Sequence, residues 1–225
     1  MTDHSVHALN AFWILFPVAS YVLGSMPFGK LIGQKVARID ITERGSGNIG
    51  ATNVTREIGI KWGIFTLVLD LLKGFIPVFL FGLFFPDFEL GQAIVGLSAL
   101  SGHQFSLFLR FRGGKGVATA LGIYLAISPF PCLIALLFFM LTVYLWDFVS
   151  LGSMLSALAM PLLLVLFGKS NTLIMASLIM AALVCFKHKD NIQRLIRGEE
   201  RGWRKKVVMR EDREDGPIRR RNKNK

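Results

Sequence analysis

Residues 117–146 read VATALGIYLAISPFPCLIALLFFMLTVYLW, thirty residues without a charge. Only lipid or a protein core can solvate such a run, and a helical membrane crossing takes about 20 residues. Thirty is too many for one ordinary crossing and too few for two full ones. Ser128-Pro129-Phe130-Pro131 punctuates the run, because proline lacks the amide proton on which helix continuation depends. Whether this stretch crosses once or twice decides the fold.

The charges on either side answer that question. Segment 110–116 carries Arg110, Arg112 and Lys115, and loop 34–61 carries Lys35, Arg38, Arg44, Arg56 and Lys61. From Lys187 to Lys225 there are 15 Lys or Arg against 7 Asp or Glu, a net +8. Basic connections face the cytoplasm, whereas loop 86–89, with only Asp87 and Glu89, suits the outside. An even number of crossings therefore separates Lys115 from the tail, and 117–146 must cross twice. One of its helices is then a short, partial one shielded by its neighbours.

Hydropathy places seven spans at 11–33, 62–85, 90–109, 117–128, 130–146, 149–168 and 171–187. The expected fold is all-α: a polytopic membrane protein with seven transmembrane helices, one of them short. Its N-terminus (1–10) lies outside, 11–187 form the membrane domain, and 188–225 form a basic cytoplasmic segment. Composition agrees, with 52% hydrophobic and only 18% charged residues, where a soluble domain has about 25% charged. The net charge of +11 is concentrated toward the C-terminus. Beside an apolar span it reads as positive-inside topology and attraction to anionic headgroups, with no nucleic acid implied. Cys132 and Cys185 lie in apolar stretches without zinc-like spacing to a His, so no metal and no cofactor is expected. The apolar segment near the N-terminus has no basic stretch before it and reads as a retained first span rather than a signal peptide.

Three polar, glycine-rich patches interrupt the apolar text, all on the cytoplasmic side of this topology. The first runs from Ser46 to Arg56 as SGNIGATNVTR. Small residues let backbone amides approach an anion, Ser, Thr and Asn add neutral donors, and Arg offers a planar fork matched to phosphate. A flexible loop entering a helix is the plainer alternative. The second holds Gly102-His103-Gln104-Phe105-Ser106 and then Phe111-Arg112-Gly113-Gly114-Lys115-Gly116-Val117-Ala118-Thr119. Three glycines around a lysine, opening into a helix, suggest a phosphate cradle of backbone amides and helix dipole. A tight turn with a positive-inside lysine fits as well. It is no Walker A loop, because Gly116 stands where a magnesium-binding Ser or Thr is required. The third patch runs from His188 to Glu199, where His188, Asn191 and Arg194 recur every third residue and a helical turn gathers them on one face. Asp70 and Lys73 also sit inside the second span, three residues apart, as a structural ion pair or as a functional lysine at the rim of a site.

Together, SGNIGATNVTR, the GHxF…FRGGKGVAT block and the pattern HxxNIxRLxxGxE resemble the PlsY family of bacterial membrane-integral glycerol-3-phosphate acyltransferases. The resemblance covers roughly Leu23 to Glu199. It implies seven membrane helices with a cytoplasmic site, and transfer of a fatty acyl group from acyl phosphate to glycerol 3-phosphate in phospholipid synthesis. By the same resemblance Ser46, Asn48, Thr52, Asn53 and Arg56 bind substrate phosphates, and Lys115 bridges phosphate groups within the loop Gly113, Gly114 and Gly116. Ser153 lines the glycerol phosphate site, and His188 and Asn191 are site residues. Ser106 stands where family members commonly have proline, implying a looser turn. Asp147 stands where Lys or Arg is frequent, removing a cationic contact.

An acyl phosphate is an activated anhydride with a stable leaving group, so the task is to bring two anions together. Arg56, Lys115 and glycine amides suit that task. His188 is a reasonable base by its ordinary pKa, but the resemblance implies that a substrate phosphate takes the proton. The alternative function is a transporter of phosphate or organophosphate, although no internal repeat is evident and the polar motifs cluster on one face. Acyl-chain preference and oligomeric state are not legible.

Overall fold

The computed structural model describes residues 13–204, which are helical throughout their regular structure. The predicted start of the first span at residue 11, the N-terminal segment 1–10 and the tail from 205 lie outside the described residues. The first apolar stretch forms α1 (Leu15–Ser25), breaks at Met26-Pro27, and resumes as α2 (Phe28–Ile32), continued by a wider π-type turn (Gly33–Ala37). The 11–33 span is therefore a broken one, and it runs four residues further than hydropathy suggested. Lys73 explains how the break is tolerated: its ammonium donates to the Met26 carbonyl at 2.9 Å and pairs with Asp70 at 2.8 Å, both side chains being buried. Of the two readings of this pair, the geometry supports the structural one.

After α3 (Ala51–Glu57) comes α4 (Ile60–Phe84), whose 25 residues rise about 37 Å, enough to cross a hydrocarbon core of roughly 30 Å. Next is α5 (Glu89–Gln104). The third predicted span was to continue to 109, but the helix stops at Gln104. The carbonyls of His103 and Gln104 accept from the amides of Gly114 and Gly113, so the chain folds back on the helix end. Ser106 does not loosen this turn; its buried hydroxyl donates to the Ser25 carbonyl and ties the turn to the end of α1.

The stretch 117–146 divides as its prolines indicate, into α6 (Val117–Ile127) and α7 (Pro129–Trp146). Pro129 occupies the first turn of α7, where a missing amide proton is harmless. The two helices fold against each other, the Cys132 thiol reaching the Leu121 carbonyl at 3.6 Å. Eleven residues of α6 span only about 16 Å. Against α4 it packs through glycines, since a Cβ on Gly122 would overlap the Leu71 carbonyl and one on Gly74 the Thr119 carbonyl. Such close backbone approach is how helices gain contact where lipid supplies no hydrophobic drive. α8 (Val149–Leu166), α9 (Asn171–Lys187) and α10 (Lys189–Ile196) complete the described chain.

Among the described residues, four helical segments are long and apolar enough to cross a membrane: Leu15–Ala37, Ile60–Phe84, Pro129–Trp146 and Val149–Leu166. A fifth is reached if α9 and α10, bent by 60°, count as one. Large apolar side chains such as Phe130, Leu137, Leu162 and Leu166 are exposed along these helices, as lipid contact requires.

Candidate active site

One cavity of about 440 Å³ joins all three patches. Its mouth is polar and cationic, with Arg56, Lys115 and Arg194, while its far part is apolar and lined by Tyr124, Ala135, Met160 and Met180. A smaller pocket of about 270 Å³ adjoins it and shares Ser46, Asn48, Lys115 and Arg194.

The first patch reaches the cavity at the start of α3. Asn48 accepts from the Gly50 amide at 2.8 Å, a local turn that leads the chain into the helix. Ser46, Asn48, Thr52 and Arg56 all line the cavity. Asn53 also borders it, but its polar atoms are committed to the protein. Its carbonyl oxygen accepts from the Ser46 amide at 2.9 Å, and its amide nitrogen donates to the carbonyls of Ile41 and Arg44. Asn53 therefore holds the loop in shape instead of offering donors to a phosphate, a correction to the expected binding role.

The glycine-lysine loop needs a similar correction. The amides of Gly113 and Gly114 donate to Gln104 and His103, so they are not aimed at an anion. Gly114 is glycine because a Cβ would strike the His103 ring. The loop instead presents the Lys115 ammonium to the cavity, and Gly116, at φ 82, turns the chain into α6. Lys115 donates to the Asn191 carbonyl oxygen. Burial, together with the positive charges of Arg194 and Arg56, outweighs the pull of Glu200 and lowers its pKa to about 8. Burial likewise lowers that of Arg56, helped by the neighbouring Arg201 charge.

His188 stands between α9 and α10, buried, with Nδ1 donating to the Val184 carbonyl at 2.8 Å. That bond leaves Nε2 as the acceptor nitrogen. Burial, and then the nearby Lys115 charge, bring its pKa down to about 4, so the ring is neutral at physiological pH. Ser153 lines the cavity from α8 and donates to the Val149 carbonyl at 2.8 Å, leaving its oxygen able only to accept.

Three participants were missed as site residues. Glu200 accepts from the Ser150 hydroxyl at 2.7 Å, from Asn191 at 2.6 Å and from Arg194 at 2.8 Å. These bonds hold its carboxyl below the ordinary carboxylate range against the opposing effect of burial. Lys115, Asn191, Glu200, Arg194 and Ser150 thus form one connected network. The third patch extends one residue past Glu199, as the count in HxxNIxRLxxGxE itself requires. Arg194 was legible from the three-residue spacing, whereas Ser150 carried no local signal. Asp147 accepts hydrogen bonds from the chain that follows Glu200. Among the described residues no group of three or more potential metal ligands occurs.

Comparison with known proteins bears on this arrangement directly. The family model described as "Glycerol-3-phosphate acyltransferase" matches residues 14–198. Curated relatives of that name include one from Trichlorobacter lovleyi, 49% identical over 84% of this chain and 95% of its own. Another, from Geotalea daltonii, is 50% identical over 83% and 95%. Among solved structures, crystal structures of PlsY, an integral membrane glycerol 3-phosphate acyltransferase, share 36% identity. The glycerol 3-phosphate form has a TM-score of 0.84 and covers 88% of this chain and 98% of that one. The lysophosphatidic acid form has a TM-score of 0.80, with 84% and 94% covered. The broken first helix, the short α6 and a single cavity shared by three separated motifs are thus features of a chain that belongs to the membrane-integral glycerol-3-phosphate acyltransferase (PlsY) family.

Proposed function

We propose that this chain transfers a fatty acyl group from acyl phosphate to the 1-hydroxyl of glycerol 3-phosphate, releasing lysophosphatidic acid and inorganic phosphate. The reaction takes place at the cytoplasmic face of the bacterial plasma membrane. The observation that carries this reading is the composite cavity, cationic at its mouth and apolar along its shaft. From Val149 to Met160, both lining residues of α8, it extends about 16 Å along the helix. A lipid-like donor with a small anionic head matches that shape.

The hydroxyl of glycerol 3-phosphate attacks the acyl carbonyl carbon, the bond from that carbon to the phosphate oxygen breaks, and phosphate leaves with its electron pair. Lys115 and Arg56 lower the repulsion between the two anionic substrates, and they hold hydroxyl and carbonyl together. The hydroxyl proton passes to a substrate phosphate. His188, weakened as a base by burial, binds instead. Ser46, Asn48, Thr52 and Asn191 supply the remaining polar contacts.

The proposal includes seven crossings. Arg56, Lys115, Ser150 and Asn191 meet at one mouth, so each intervening helix pair, α4–α5, α6–α7 and α8–α9, goes out and returns. The short α6 is tolerated because α4 packs along it. Basic residues in 34–61, 110–116 and 188–204 put the mouth inside, leaving the N-terminus outside.

Purified protein given glycerol 3-phosphate and equal concentrations of palmitoyl phosphate or palmitoyl-CoA tests the donor. Lysophosphatidic acid should form with palmitoyl phosphate alone, because nothing among the described residues provides for a nucleotide headgroup. Equal turnover of the two donors would sink the assignment.

A further inference from the structure

The family match ends at residue 198, yet the chain beyond it stays on the site. Gly198 turns at φ 69, and residues 199–204 then run from α10 to the corner between α7 and α8. Glu200 is the first anchor of this strap, through Ser150, Asn191 and Arg194. Its second anchor is Arg56, whose terminal Nη2 donates to the carbonyls of Arg201 at 3.2 Å and Gly202 at 3.4 Å. Asp147 forms the third. Its backbone carbonyl accepts from the Trp203 amide at 2.9 Å, and its carboxylate accepts from the amides of Trp203 at 3.2 Å and Arg204 at 3.0 Å. The Arg204 guanidinium lies over the Tyr144 ring, 5.3 Å from its centroid, and closes the same corner.

We propose that Asp147 is a positioning residue for glycerol 3-phosphate: it fixes the strap, and the strap fixes the guanidinium of Arg56. The inference rests on the placement of Arg56 against a substrate phosphate under the proposed function. Two features of Arg56 fit this role. Its Nε is buried and has no hydrogen-bond partner, so part of its donor fork is unspent. The groups that hold its other end are neutral carbonyls, which orient a cation without cancelling its charge. A carboxylate in their place would consume the charge a phosphate needs. The nearest acid of the strap, Glu200, is engaged by Arg194 and its two other donors. Without the Asp147 carboxylate the Arg204 amide loses its acceptor and the Trp203 amide keeps only the backbone carbonyl, so the strap loosens at this corner and Arg56 regains the rotamer freedom that substrate must then remove.

The test uses the full chain in detergent with palmitoyl phosphate and glycerol 3-phosphate. Asp147→Ala removes the side-chain acceptor, Trp203→Pro removes the strap amide that donates to both the carbonyl and the carboxylate of Asp147, and Asp147→Asn keeps an acceptor oxygen. The first two should raise KM for glycerol 3-phosphate about tenfold, with kcat and the KM for acyl phosphate changed less than about twofold. Asp147→Asn should stay within about threefold of the parent. Tryptic cleavage after Arg201, slow in the parent, should accelerate in the first two variants and thereby report release of the strap. Should Asp147→Ala fail to fold, Trp203→Pro tests the same anchor from the strap's side. Faster cleavage with unchanged KM for glycerol 3-phosphate would overturn the proposal, as would Asp147→Asn as impaired as Asp147→Ala, or a fall in kcat alone. A parent protein inactive with both substrates would instead overturn the assigned activity, and this inference with it.

Discussion

Lys115 holds its charge against burial, with a pKa of about 8, and the charged form is the one that can bridge two phosphates. The sign follows: kcat/KM should be insensitive to this group well below pH 8 and fall as pH rises through it. Lys115→Arg, whose guanidinium stays protonated, should move that alkaline limb upward, as a pH–rate profile of both proteins would reveal. Lys115→Ala and Arg56→Ala should each lower the rate by about two to three orders of magnitude, typical for loss of one donor from an electrostatic site. His188→Gln keeps hydrogen bonding without basicity and should retain at least about a tenth of the parent rate. A His188→Gln protein as inactive as Lys115→Ala, with substrate binding intact, would make His188 the base. Charged and polar types stand out from apolar text, which is why Lys115, Arg56, His188 and Asn191 could be singled out before the cavity they line was known. Asn53 and the amides of Gly113 and Gly114 could not. Whether a polar group faces a ligand or a main-chain carbonyl is settled by where the chain folds back, and residue type is silent on that.

Among the elements, α6 is the informative one. Eleven residues cannot cross a bilayer of about 30 Å unaided, and the helix is held by backbone contact with α4 at Gly122 and Gly74. Gly122→Leu should force these helices apart and destabilise the protein by about 1–3 kcal/mol, the usual range for overpacking. Leu137→Ala, on the exposed face of α7, should be nearly neutral. Thermal unfolding in detergent separates the two. The break at Ser128-Pro129 was legible because proline forbids a backbone bond outright. The end of α5 at Gln104, five residues earlier than hydropathy implied, was not. Apolar residues continue to Leu109, and it is the returning Gly113-Gly114 segment that captures the terminal carbonyls.

At the scale of the molecule, topology is the testable property. In a variant with Cys132 and Cys185 replaced by Ala, a cysteine at Asp87 should react with an impermeant thiol reagent in intact cells. A cysteine at Arg112 should react only after permeabilisation. Equal labelling of the two from outside would contradict the cytoplasmic site. The sequence by itself determined the membrane class, the division of 117–146 into two helices at its prolines, and the family. Lipid demands unbroken apolar runs with every backbone group satisfied within them, and that demand is written locally. Only the tertiary structure decided which polar groups are free to meet a substrate. It tied Asn53 to its own loop, spent the Gly113 and Gly114 amides on α5, and recruited Glu200, Ser150 and Asp147 from separate segments. Those assignments depend on contacts between residues as far apart as Arg56 and Arg201, and such pairings have no period or spacing along the chain.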